Sequence, residues 1–161
     1  MISIISGPSC VGKSYFLKNK RERLLEIANL ESDDEFEVVN WEKLTYEDDI
    51  WEDGSKIICI HLNFMEINKK KAGLSIIKKV NPVSAIILGV PYSEYKVRIE
   101  LRGERKPSRS RPRLLHNPDV PVNRYKNWIN ELNKNEIPYV FVEAIGDYKV
   151  LEEEEFFRML K

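Results

Sequence analysis

The first fourteen residues, MISIISGPSCVGKS, constrain this chain more than any other stretch. Ile2, Ile4 and Ile5 form an apolar, β-branched run that suits a buried strand. The run breaks at Gly7 and continues as Gly7-Pro8-Ser9-Cys10-Val11-Gly12-Lys13-Ser14, where a helical pattern begins. A glycine, four residues and then Gly-Lys-Ser, set between strand and helix, is the pattern of a loop that wraps phosphate. Glycine allows a backbone that bulkier residues resist, so the N–H groups of residues 9–14 can converge on one anion. The start of the following helix adds partial positive charge. Lys13 is placed to reach β- and γ-phosphates, and the Ser14 hydroxyl to hold Mg²⁺. The expected ligand is a nucleoside triphosphate, held by Gly7, Pro8, Ser9, Cys10, Val11, Gly12, Lys13, Ser14 and Tyr15. A chance Gly-rich turn is the competing reading, and the order of strand, loop and helix speaks against it.

Composition narrows the partners. The chain has 161 residues, which fits one domain spanning 1–161. Lys plus Arg number 26 and Asp plus Glu number 26, so no global field draws it to nucleic acid or an anionic membrane. Cys10 falls in the phosphate loop and Cys59 in an expected core strand, positions that suit neither a disulfide nor metal-ligand spacing. The opening residues lack the basic flank and length of a signal peptide, and no apolar run approaches a membrane span. A soluble, cytoplasmic protein of a reducing compartment is expected.

After the loop, residues 13–29 read as one helix. Leu17, Leu24 and Ala28 share a face flanked by Phe16, Leu25 and Ile27. Strands are expected at Phe36–Asn40, Lys56–Leu62, Ser84–Val90 and Pro138–Glu143. Helices are expected at 74–80, Glu94–Leu101, Pro121–Asn135 and 148–160. The last would turn Leu151, Phe156, Phe157 and Leu160 inward and Glu152–Glu155 to solvent. There is no internal repeat. Uniformly apolar strands alternating with helices predict an α/β fold, a five-stranded parallel sheet covered by helices on both faces. Ligands of such sheets sit outside the carboxyl ends of the strands, which directs attention to 7–14, 40–54, 61–68, 89–98 and 143–149.

In order and length of elements the chain resembles the small P-loop kinases, the superfamily of nucleoside monophosphate, shikimate and gluconate kinases. Gly7–Ser14 carries the resemblance most specifically. Arg111-Pro-Arg-Leu-Leu115, followed by a helix and Ile137-Pro-Tyr-Val140, is similar to the segment after the lid of shikimate kinases. The spelling SGPSxVGKS also looks like guanylate kinases, but the Thr-Thr-Arg-x-Pro-Arg of their guanine site has no counterpart in residues 30–50. The resemblance implies a three-layer P-loop NTPase fold, ATP and Mg²⁺ as cofactors, and an arginine-rich lid at about 96–115.

From Lys96 to Arg113 stand Lys96, Arg98, Arg102, Arg105, Lys106, Arg109, Arg111 and Arg113 against Glu100 and Glu104, a local net charge of about +6. Guanidinium forks suit phosphate oxygens, and an arginine brought in on closure stabilises charge on a transferring phosphoryl group. Arg102, Arg105 and Arg109 are the candidates; a solvated charged loop is the competing reading. The resemblance also places an acceptor-orienting carboxylate just past the second strand, where Glu42 stands with Asp48 or Asp49 behind it. Acceptor contacts are expected from Trp41, Asp48, His61 and Asn63, although Trp41, Tyr46 and Trp51 also read as plain packing. The third strand ends Cys59-Ile-His61-Leu-Asn63, without the Asp that often holds Mg²⁺ through water in this superfamily.

Three functions remain open on sequence alone. The first is an ATP-dependent kinase acting on a hydroxyl or phosphate of a nucleotide, nucleoside or sugar-like metabolite. In the second, the acceptor lies on a nucleic acid, such as a modified base or terminal hydroxyl, drawn by the basic lid and Lys69–Lys71. The third is a non-catalytic nucleotide-binding switch.

Overall fold

The computed structural model describes residues 2–31, 36–40, 55–61, 83–105 and 119–161. In chain order these form β1 (Ile2–Gly7), α1 (Lys13–Asn19), α2 (Arg21–Ala28), β2 (Phe36–Asn40), β3 (Ser55–His61) and β4 (Val83–Gly89). There follow α3 (Tyr92–Arg105), α4 (Asp119–Lys134), β5 (Tyr139–Glu143), β6 (Val150–Leu151) and α5 (Glu153–Met159). The expected helix at 74–80 lies outside the described residues.

Alternating strands and helices assemble one α/β sheet of six described strands, ordered β2-β3-β1-β4-β5-β6. Neighbours from β2 through β5 run parallel, whereas β5 and β6 are antiparallel, with Phe141 opposite Leu151 and Val142 opposite Val150. The expectation of an all-parallel, five-stranded sheet is therefore corrected: the sheet is mixed. Residues 150–151, expected inside the last helix, form the extra strand, and α5 begins only at Glu153. A two-residue strand has no periodicity to read, and the pairing edge of β5 recruits it.

Side-chain alternation along the strands divides the core. Ile2, Ile4, Ala85, Ile87 and Phe141 face α4 and α5, packing with Tyr125, Trp128, Leu132, Phe156 and Leu160. Ile5, Ile86, Leu88 and Val142 face α1, α2 and α3, packing with Phe16, Leu24, Ala28, Tyr95 and Ile99. Successive residues thus point to opposite faces, and both faces are buried by helices. The α4 layer is pinned by polar contacts within this core. Trp128 Nε1 donates to Ser6 Oγ at 2.7 Å, and the Tyr125 hydroxyl donates to the Leu88 carbonyl at 2.6 Å.

The single helix expected over 13–29 is two. Lys20 leaves helical geometry at φ −132° and ψ 42°. In an unbroken helix Phe16 and Leu24 would lie about 80° apart around the axis. Across the break Phe16 and Leu24 are both fully buried. Asn19 assists, since its side chain donates to the Tyr15 carbonyl at 3.3 Å and so competes with the helical ladder.

Strand order places the site. After β1 the chain builds β2 and β3 on one side, then crosses to β4 and β5 on the other. The order reverses at β1, where α/β sheets open a crevice at the carboxyl end. Gly7 ends β1 there, beside the backbone of His61.

Candidate functional site

Residues 8–12 leave β1 as a tight loop closed by geometry that the sequence permits only in places. Gly7 holds φ +155°, and a Cβ on it would stand 2.7 Å from Val11 Cγ1 and 3.0 Å from the Leu88 carbonyl oxygen. Gly12 holds φ +109°, with Arg98 Nη1 3.2 Å and Tyr148 Oη 3.3 Å from the place of a Cβ. Between them Cys10 sits in the left-handed region at φ 71°, a conformation that costs a non-glycine residue roughly 1 kcal/mol or more. Val11 anchors the loop from below, fully buried among Ile5, Phe16 and Leu88.

Lys13 closes the loop from within. It is only 8% exposed, and its ammonium donates to the carbonyls of Gly7 at 2.6 Å and Pro8 at 2.8 Å. That holds the charge at the mouth of the loop. The next two residues, Ser14 and Tyr15, are exposed on the first turn of α1. Phe16 is the first amide bonded back along this helix, to the Gly12 carbonyl at 2.9 Å, which leaves the preceding amides without an intrahelical acceptor. With seven residues α1 is short, so its macrodipole is a small contribution beside the full charge of Lys13.

Two arginines of α3 reach this loop, because Arg98 and Arg102 are one turn apart on the same face. Arg98 donates to the Val11 carbonyl at 2.8 Å, to the Ala144 carbonyl at 3.1 Å, and to Glu94 Oε1 at 2.6 Å. It therefore ties the loop to the end of β5. Arg102 donates to Ser9 Oγ, and its Nη1 lies 3.5 Å from Cys10 Sγ. Residues 92–105 are helical, longer at both ends than the expected 94–101, so the first part of the expected lid is an extension of α3 rather than a loop.

Beside the loop opens a cavity of about 610 Å³ lined by Cys10, Gly12, Tyr15, Lys20, Arg98, Ala144, Ile145, Gly146 and Tyr148. Its walls are aromatic, amide and cationic. Tyr148 stacks on Phe16, ring centroids 4.5 Å apart and planes at 8°, and holds φ 56°. Arg23 Nε donates to its carbonyl at 3.1 Å. Burial pushes the Tyr148 phenol above its ordinary range, against the opposing charge of Arg98. A larger open groove of about 770 Å³ runs past the break between α1 and α2, lined by Lys18, Asn19, Lys20, Arg21, Glu22, Arg23, Asp147 and Lys149. It shares Lys20 with the first cavity but touches no residue from Gly7 to Ser14.

Gly7, Pro8, Ser9, Cys10, Val11, Gly12, Lys13, Ser14, Tyr15 and Arg102 thus come together at the carboxyl edge of β1. For Arg105 the structure describes the helical backbone, and for His61 the backbone at the end of β3. Trp41, Glu42, Asp48, Asp49, Asn63 and Arg109 lie outside the described residues. Sequence reasoning did not single out Arg98, Lys20 or Tyr148. Position after β5 was the available signal for Tyr148, and the Glu94–Arg98 spacing for the arginine.

No model of a known protein family matches this chain, and neither does any curated protein.

Proposed function

We propose that this chain is an ATP- and Mg²⁺-dependent phosphotransferase of the P-loop kinase kind, moving the γ-phosphoryl group to a hydroxyl or phosphate of a small acceptor. The observation that carries the reading is the Lys13 ammonium, held by two loop carbonyls beside the exposed Ser14 and a nucleoside-sized cavity. The parts fit the ligand. The cavity walled by Arg98 and Tyr148 would take base and ribose, the loop amides and Lys13 the β- and γ-phosphates. Arg102, already at Ser9 and Cys10, would meet charge that develops during transfer. Among the described residues no three His, Cys, Asp or Glu side chains gather into a metal site. A magnesium ion here would take the Ser14 hydroxyl, phosphate oxygens and water, its usual company, and would neutralise phosphate charge.

The direct test is calorimetric titration with Mg²⁺ and the non-hydrolysable analogue AMP-PNP, followed by labelled ATP with pooled hydroxyl and phosphate acceptors. Micromolar, magnesium-dependent binding with label transfer supports the reading, and absence of nucleotide binding sinks it. A nucleic-acid acceptor is the second reading, favoured by the basic groove of Lys18, Lys20, Arg21, Arg23 and Lys149. It requires DNA or RNA binding that falls steeply with salt.

A further inference from the structure

The cavity of about 610 Å³ beside the loop leaves apolar surface open to water. Tyr15 is 56% exposed and Ile145 38% exposed, and both line it. One comes from the first turn of α1 and the other from the turn after β5. A flat aromatic ligand would cover that surface by stacking. The hydrogen-bonding groups of the same walls are one-sided. Among the described residues no carboxylate or carboxamide side chain lines the cavity. Its two cations differ in what they already hold. Arg98 is committed to Glu94 and to the carbonyls of Val11 and Ala144. Among the described residues the Lys20 ammonium pairs with Asp147 alone, at 4.0 Å, and the Asp147 side chain is fully exposed. An ion pair in water is a weak tether, so Lys20 is the cation able to serve a ligand.

Backbone acceptors in these walls are already in use. The Ala144 carbonyl accepts from Arg98 Nη2 at 3.1 Å, and the Ile145 carbonyl from the Tyr148 amide at 3.1 Å. An amine on an entering base therefore meets two carbonyls that each hold one donor, and no side-chain carboxylate or amide. The two purines differ at this point. Adenine sets its N6 amine, a donor, beside N7 and is matched by Asn or Gln. Guanine sets two acceptors, O6 and N7, side by side and is matched by Lys or Arg.

We propose that Lys20 is a specificity-determining residue that selects a 6-oxopurine, so that the donor site prefers guanine to adenine nucleotides. This rests on the phosphotransferase reading above and specifies the base of its donor. The two lysines at either end of α1 divide the work. Lys13 is fixed on the carbonyls of Gly7 and Pro8, where the phosphates belong. Lys20, at the break between α1 and α2, lines the cavity without touching that loop and borders the open groove as well. Its ammonium can therefore turn from Asp147 to an oxygen inside the cavity while its stem stays in place.

The test is calorimetric titration with Mg²⁺ and GDP, IDP or ADP, which share the loop contacts and have no γ-phosphoryl group to transfer. IDP keeps O6 and N7 but lacks the 2-amino group of GDP. Wild type is compared with Lys20→Met and Lys20→Arg, with near-ultraviolet circular dichroism to confirm folding. The readout is the ratio of affinities, since loss of one charge near the phosphates weakens all three diphosphates alike. GDP and IDP should bind about tenfold or more tighter than ADP. The ratio should fall to within about twofold in Lys20→Met and persist in Lys20→Arg. The wild-type ranking stays decisive if Lys20→Met is unstable. ADP binding as tightly as GDP overturns the proposal, as does a preference that survives Lys20→Met. IDP ranking with ADP assigns the choice to the 2-amino group and overturns it too. If none of the three binds, the nucleotide reading itself fails and the proposal falls with it, whereas binding without preference fails the proposal alone.

Discussion

Arg98, on the helix that leads into the basic segment, donates to the Val11 carbonyl inside the Gly7–Gly12 loop at 2.8 Å. The same guanidinium holds Ala144 at the end of β5, so the loop and the cavity beside it share one support. Arg98→Ala should weaken AMP-PNP binding about tenfold, by removing a cavity wall and freeing the loop. Arg98→Lys should not restore it, because one ammonium cannot fork onto carbonyls from two elements. Calorimetry on the three proteins checks this, and full rescue by lysine would mean that charge alone is needed.

Lys13→Ala should lower ATP turnover by about a hundredfold or more, the scale of losing one preorganised contact to developing charge. Its buried head group also closes the loop through two carbonyls, so the midpoint of thermal unfolding should fall by roughly 2–4 °C or more. Steady-state rates and a melting curve on the same sample separate the two effects. An active Lys13→Ala variant would remove the phosphate-loop reading.

For Arg102→Ala the expected loss is in kcat more than in KM for ATP. Its partners in the free protein are a hydroxyl and a thiol, weak compared with the charge of a transferring phosphoryl group. Proportional changes in both constants would instead make it a ground-state anchor.

Ser3 lies on the central strand, fully buried, with no partner for its hydroxyl among the described residues. Ser3→Ala should stabilise the protein by about 1 kcal/mol by deleting an unpaired polar atom. For a chain of this size that raises the melting temperature by roughly 2–4 °C. Destabilisation would show that the hydroxyl has an acceptor.

Gly89 is required by packing alone. A Cβ there would stand 2.5 Å from the ring of Phe156 and 3.2 Å from Leu160 Cδ2. Gly89→Ala should cost about 1–3 kcal/mol by forcing α5 off the sheet. Adding Phe156→Leu should recover part of that loss, so denaturant midpoints of the single and double variants must be non-additive.

What the amino-acid sequence by itself determined is what depends on near neighbours. Gly7 and Gly12 around a strand-to-helix turn announce the loop because its conformation is a local property of glycine. The five parallel strands were read to within about one residue because apolar runs persist whatever they pair with. Tertiary structure decided the rest. The break at Lys20 has no glycine or proline to signal it. Val150 and Leu151 became a strand only because β5 offered an unpaired edge. Arg98 and Tyr148 came to line one cavity from two separate stretches of the chain, because the strand order β1-β4-β5 brings their connections to one edge. Sequence separation hides such meetings. The free energy that enforces them is burial of the two faces of the sheet, a property of the whole chain rather than of any motif.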